Sequence, residues 1–309
     1  MDCRSDEELF QLVQESKVHT AEGKVADYIP ALAQADPDSL AVAMAFPDGS
    51  CYSAGDVNKK STLQSISKVI ALALALLDNG EEYVFQRVGM EPTGDPFNSI
   101  IKLETTEPHK PLNPMINAGA LAVTSMIKGD SVEERLGRII HLTELITGVE
   151  GIGYNKEVAM SELQTADLNR SLAYYLKQYH VIEENVETVI ELYTKQCAIE
   201  MNCSDLAKIG LTLAMDGKHP LTGETLLPPR VASICKTFMV TCGMYNASGE
   251  FAIRVGIPAK SGVAGGIMAA VPYRCGIGIF GPALDERGNS IAGWDLMERL
   301  SKKYDLSMF

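Results

Sequence analysis

The chain has 309 residues, 46% hydrophobic and 22% charged, the balance of a globular protein with one large domain or two close lobes. Its net charge of −13 argues against nucleic acid and anionic membrane surfaces as partners, because both select basic patches. The apolar runs are too short to span a bilayer, and the first residues lack the basic-then-apolar layout of a secretion signal, so a cytoplasmic protein is expected.

Residues 5–20 predict an amphipathic helix, with Leu9, Phe10, Leu12 and Val13 recurring among charges. A short helical stretch follows at Tyr28–Leu32. Leu40–Phe46 reads as a strand that turns at Pro47–Ser50 into a partner through Cys51 and Tyr52. The polar stretch Asn58–Thr62 then leads into Gln64-Ser65-Ile66-Ser67-Lys68. Behind it, within the apolar run Val69–Leu77, Ala71–Leu76 has high helix propensity and Asn79-Gly80 supplies a stop, placing Ser65 in the first turn of a largely buried helix. Residues 81–118, rich in Pro, Gly and Asn, predict a long loop of the kind that carries function. It closes in Asn113-Pro114-Met115-Ile116-Asn117-Ala118-Gly119-Ala120, which opens another helix.

From 131 to 248 the periodicity is helical, with a capped start at Ser131-Val132-Glu133-Glu134 and helices expected over 132–147, 156–178, 183–199, 203–216 and 228–241. After Gly249, Phe251–Ile257, Gly265–Val271 and Gly276–Phe280 read as antiparallel strands, and Ser290–Lys303 as an amphipathic helix. The expected class is α+β: an antiparallel sheet built from both chain ends, flanked by helices, plus a helical lobe. The chain would form one unit in two lobes, an α/β lobe of about 1–62 plus 249–309 and a helical lobe of about 63–248.

Ser65 and Lys68, three residues apart, share one helix face. On spacing alone a helix cap followed by a solvated lysine reads better. The apolar run behind Lys68 shifts that balance, because burial lowers a lysine pKa and makes the amine a base near neutral pH. S-x-x-K is also the nucleophile motif of penicillin-recognising serine enzymes. Lys260-Ser261-Gly262-Val263-Ala264-Gly265-Gly266 matches their second signature, K-[ST]-G on a strand. Its small residues let backbone approach a substrate, and the Val263 N–H could face a developing oxyanion. A Gly-rich turn with an exposed lysine is the competing reading, and the two motifs together favour a site. The third signature, S-D-N or Y-x-N, is missing.

Seven scattered cysteines, Cys3 among them, form no C-x-x-C pair and are expected to be reduced and mostly buried. The five histidines are isolated, and nothing in the spacing argues for a metal.

With Tyr28-Ile29-Pro30, Glu162 and Asn169, Tyr193, and Cys242-Gly243-Met244-Tyr245 added, the chain resembles the serine-dependent glutaminases, which share the β-lactamase/DD-peptidase-like fold. The matching pieces reach from near the N-terminus to residue 266. The resemblance implies hydrolysis of L-glutamine to L-glutamate and ammonia, without metal or organic cofactor. It implies Ser65 as nucleophile, Lys68 as its base or base partner, and Tyr193 and Tyr245 beside the serine as candidate proton carriers. The N–H groups of Ser65 and Val263 would form the oxyanion hole, and Tyr28, Asn117, Glu162 and Asn169 would grip the amino-acid end. Lys260, Ser261 and Gly262 would support the site, and the family suggests a homo-oligomer, commonly a tetramer. Without the resemblance, Glu162 reads as a first-turn glutamate, Tyr193 as a core tyrosine, and Asn117 and Asn169 as caps. Two rivals remain at this point, a β-lactamase-like serine esterase or amidase and an inactive amino-acid sensor on the same fold. The missing third signature opposes the first, and the intact serine, lysine and tyrosines oppose the second.

Overall fold

The computed structural model describes residues 4–105 and 107–309, so Cys3 lies outside the described residues. The Pro47–Ser50 turn joins β1 (Ala41–Ala45) to β2 (Cys51–Gly55), with Ala43 opposite Ser53. A two-residue ribbon pairs β3 (Ser61–Thr62) with β4 (Glu200–Met201). Near the other chain end, β5 (Ala259–Ser261), β6 (Gly266–Val271) and β7 (Cys275–Phe280) run antiparallel. β7 also pairs with β1, which closes one five-stranded sheet in the order β2-β1-β7-β6-β5. Both chain ends therefore build the sheet.

The helices are α1 (Asp6–Lys17), α2 (Ser67–Arg87), α3 (Ile101–Thr105), α4 (Asn117–Ser125), α5 (Val132–Thr147) and α6 (Lys156–Gln164). They continue with α7 (Asp167–Gln178), α8 (Val186–Cys197), α9 (Cys203–Ala214), α10 (Pro229–Cys242), α11 (Ser248–Arg254) and α12 (Ile291–Tyr304). Strand alternation sorts the two sheet faces by size. Val42, Met44, Ile277 and Ile279 pack with Leu9, Leu12, Leu296 and Leu300 of α1 and α12. On the opposite face Ala41, Ala43 and Ala45 lie with Ala207 and Leu211 of α9. Gly276 and Gly278 share that face, and a Cβ on either would stand 1.9 Å from an α9 carbonyl oxygen. The small residues thus let α9 lie directly on the strands. A second core joins α2, α4, α5, α7, α8 and α10.

Several expected elements take another form. Tyr28–Leu32 is not a helix but a series of turns, with Leu32 N bonded to Ile29 O and Ala33 N to Pro30 O. The backbone breaks at Gly80 (φ 80°, ψ 166°), yet helical structure resumes to Arg87, so the chain claims part of the expected loop as helix. The 156–178 helix is two, separated at Thr165-Ala166. Phe251–Ile257 is not a strand: its first half belongs to α11. Phe251 and Val255 are buried four residues apart while Ile253 is 88% exposed, which is the helical period and not alternation. No described helix is long and apolar enough to cross a membrane.

Candidate active site

Gln64–Ile66 forms a 3₁₀ turn ahead of α2, with Gln64 at φ 47°. Ser65 therefore precedes the first α turn and does not lie within it. It is 7% exposed and stays at the positive end of the helix, where backbone N–H groups lack intrahelical partners. The end of β5 crosses this turn closely. A Cβ on Gly262 would stand 2.6 Å from Leu63 O, which explains the glycine of the Lys260-Ser261-Gly262 triad. Just beyond, the Val263 N–H makes no backbone hydrogen bond among the described residues.

Lys68 is 1% exposed, and its Nζ donates to Asn117 Oδ1 (2.7 Å) and Met115 O (3.1 Å). Burial pulls its pKa down to about 8, against the attraction of Glu162. Asn117, the first residue of α4, is the hub of the network. Its Oδ1 also accepts from Tyr193 OH (3.4 Å), and its Nδ2 donates to Asn169 Oδ1 (3.0 Å). The α6–α7 break sets Glu162 at the end of one helix and Asn169 at the start of the next. Gln64 Nε2 reaches Glu162 Oε2 at 3.5 Å. Burial raises the Glu162 carboxyl to about 7, opposed by the Gln64 hydrogen bond and the Lys68 charge.

These groups border one cavity of about 240 Å³, which Tyr28, Ser65, Asn117, Glu162, Asn169, Tyr193 and Val263 all line. Glu162 is the one charged side chain among its described lining residues. Tyr245 sits beside it with φ 53°, its ring 4.9 Å from Phe97 and its buried hydroxyl without a hydrogen bond of ordinary geometry. Burial raises its pKa, and the nearby Ser65 hydroxyl tempers the rise. Burial likewise raises the Tyr193 phenol. Lys260 is fully buried, not an exposed turn lysine. It donates to Ser261 O (2.6 Å) and Gly243 O (3.1 Å), and its Nζ lies 4.5 Å from the Tyr245 ring centroid.

The structure thus brings together every residue that the sequence nominated. Sequence reasoning missed Gln64 as a lining residue, although it adjoins Ser65, and Phe97 and Asn98, which the 81–118 segment delivers. Only the length of that segment pointed to them.

A buried serine and lysine, a Val263 N–H unpaired among the described residues, and buried phenols are groups that acyl transfer by a hydrolase requires. The sequence profile of the glutaminase family matches residues 23–309. A glutaminase of Geobacillus thermodenitrificans is 64% identical over 309 residues, covering all of both chains. A solved structure of a probable glutaminase from Bacillus subtilis superposes with a TM-score of 0.92 at 46% identity, covering 98% of this chain and 97% of that one. The B. subtilis glutaminase YbgJ, solved as a covalent complex with 5-oxo-L-norleucine after reaction with 6-diazo-5-oxo-L-norleucine, matches at TM-score 0.88 and 43% identity over 98% of this chain and 99% of that one. The chain belongs to the glutaminase family. It is an enzyme that hydrolyses glutamine.

Proposed function

We propose that hydrolysis proceeds through an acyl-enzyme on Ser65. Lys68, as free amine, accepts the hydroxyl proton while Ser65 Oγ attacks the side-chain carbonyl carbon of L-glutamine. The N–H groups of Ser65 and Val263 stabilise the oxyanion, and Tyr245 hands a proton to the departing nitrogen, with Tyr193 holding Asn117 in register. The C–N bond breaks and ammonia leaves; water then attacks the ester, its proton restoring the Tyr245 phenol while Lys68 returns its proton to Ser65 Oγ, which releases L-glutamate and free Ser65. Glu162 meets the substrate ammonium, while Tyr28, Asn117 and Asn169 take its carboxylate. Lys260, Ser261 and Gly262 support the turn that carries Ser65.

The observation that carries this reading is the single carboxylate in an otherwise uncharged cavity whose edge is Ser65. A volume of about 240 Å³ suits a free amino acid. A zwitterion pairs its cation with Glu162 and meets neutral donors elsewhere, and wrong ligands leave those buried groups unpaired. The covalent capture described for YbgJ supports a nucleophilic side chain in the corresponding site here. The chain would act in the cytoplasm as one unit in two lobes, within a homotetramer and with no cofactor.

The test is ammonia release from L-glutamine combined with mass spectrometry after 6-diazo-5-oxo-L-norleucine. Wild type is expected to gain one adduct on Ser65, and Ser65→Ala to lose both adduct and turnover. Equal ammonia release by Ser65→Ala would remove Ser65 from its role.

A further inference from the structure

The hairpin between β7 and α12 takes no part in the chemistry above, yet its tip rests against the reacting centre. Asp285 organises it. Its Oδ1 accepts from the backbone N–H groups of Arg287 (2.9 Å) and Asn289 (2.8 Å), and its own N–H donates to Asn289 O (2.8 Å). Outside the hairpin, Arg287 Nη1 donates to Glu250 Oε2 on α11 (2.9 Å). Asn289, 1% exposed, donates to the carbonyl of Met244 (3.4 Å), the residue directly before Tyr245. The hairpin is therefore rigid in itself and tied to the segment that bears the tyrosine.

So fixed, it presents Gly288 at φ 91° to both Val263 and Tyr245. A Cβ there would meet Val263 Cγ1 at 3.3 Å and Tyr245 Cε2 at 3.4 Å. The Tyr245 hydroxyl has no hydrogen bond of ordinary geometry, so the ring is placed mainly by packing, against Phe97, Lys260, Val263, Leu284 and this hairpin. The hairpin also walls an outer cavity of about 540 Å³ that shares Tyr28, Phe97 and Val263 with the inner one.

We propose that Asp285–Asn289 is a positioning element for glutamine hydrolysis, in which Gly288 sets how far the Tyr245 ring and the Val263 N–H stand from the carbon that Ser65 attacks. The inference rests on the reading of Tyr245 and Val263 given above. A side chain at Gly288 pushes Val263 by a few tenths of an ångström and closes against the Tyr245 ring. Asn117, Glu162 and Asn169 of the amino-acid grip line only the inner cavity, and Tyr28 alone borders the one that Gly288 lines. The signature is a fall in kcat at nearly constant KM.

Gly288→Ala adds backbone strain as well as bulk, so the control is Gly223→Ala, at φ 71° with open space around the added carbon. The two variants are expected to lose similar Tm. Only Gly288→Ala should lose kcat, by about tenfold, since misplacement of about 1 Å can cost about 100-fold. Asp285→Asn loosens the hairpin without adding bulk and should likewise lower kcat with KM within about twofold. A Gly288→Ala enzyme with the kcat of Gly223→Ala, or one in which KM rises and kcat holds, overturns the proposal. If Tyr245→Phe keeps wild-type kcat, the reading of Tyr245 falls and the proposal with it. A slow Tyr245→Phe beside a fast Gly288→Ala overturns the proposal alone.

Discussion

Lys68 and Glu162 are buried ionisable groups whose pKa values move towards each other, to about 8 and about 7, because both lose hydration by more than their mutual attraction restores. At pH 7 roughly one Lys68 in ten is then a free amine, enough to serve as base. The ascending limb of kcat/KM should accordingly have its midpoint near pH 8. Lys68→Arg should abolish acylation with the fold intact, since a guanidinium does not give up its proton. A retained burst of acyl-enzyme in that variant would assign the base to a tyrosine. Glu162 has an opposite signature in stability. Its folded pKa lies above the ordinary 4.5, so the folded state holds the proton more tightly and loses stability as pH rises from 4.5 to 7, by about 3 kcal/mol at most. Glu162→Gln should therefore melt higher than wild type at pH 8 and alike below pH 4.5, while KM for glutamine rises steeply. Because Glu162 also holds the Lys68 pKa up, the ascending limb should move to lower pH in that variant. A Tm difference that is constant from pH 4 to 8 would contradict the burial account.

Elements succeed or fail in the sequence according to whether local chemistry specifies them. α9 is an example of full local specification. Asn202 Oδ1 accepts from Asp205 N (3.0 Å) while Asp205 Oδ2 accepts from Asn202 N (3.2 Å), closing a capping box. Asn202→Ala should cost about 1 kcal/mol, seen as a lower Tm or urea midpoint, with kcat unchanged because Asn202 does not line the cavity. Ser65, Lys68 and the Lys260 triad were legible for a similar reason: each motif is short and its spacing carries the chemistry. Glu162 and Asn169 were legible only by resemblance, because the helical period runs on through Thr165-Ala166 and hides the break that turns both inward. Phe97 was out of reach. Its segment is shaped by the pairings of Gly89 N with Pro111 O and Glu91 N with Leu112 O, which link residues some twenty apart and leave no periodic trace. Phe251–Ile257 misled because a dense apolar run fits either period, and only the outward face of Ile253 decides it.

At the scale of the molecule, the cavity draws residues from Tyr28 to Val263 and lies where β5 and the 3₁₀ turn before α2 meet the helical core. A site assembled that way exists only when sheet and helices are folded together, which is why we read the two lobes as one unit. α9 strengthens the coupling. Its Cys203, Ala207 and Leu211 pack on the sheet, while Leu206, Ile209 and Leu213 belong to the helical core. The chain also supplies its own reporters. Its single tryptophan, Trp294, lies on α12 against Phe251 at 4.8 Å, so its fluorescence follows the sheet side. Far-ultraviolet circular dichroism is dominated by helices, most of which lie on the other side. If the lobes form one cooperative unit, urea transitions followed by the two signals should coincide in midpoint and slope. Saturating L-glutamate should raise both midpoints together, through a stabilisation of about 2.7 kcal/mol at a hundred times its dissociation constant. Separate midpoints, with glutamate moving only the dichroism, would instead divide the chain into independently folding lobes and place the ligand's grip on the helical one.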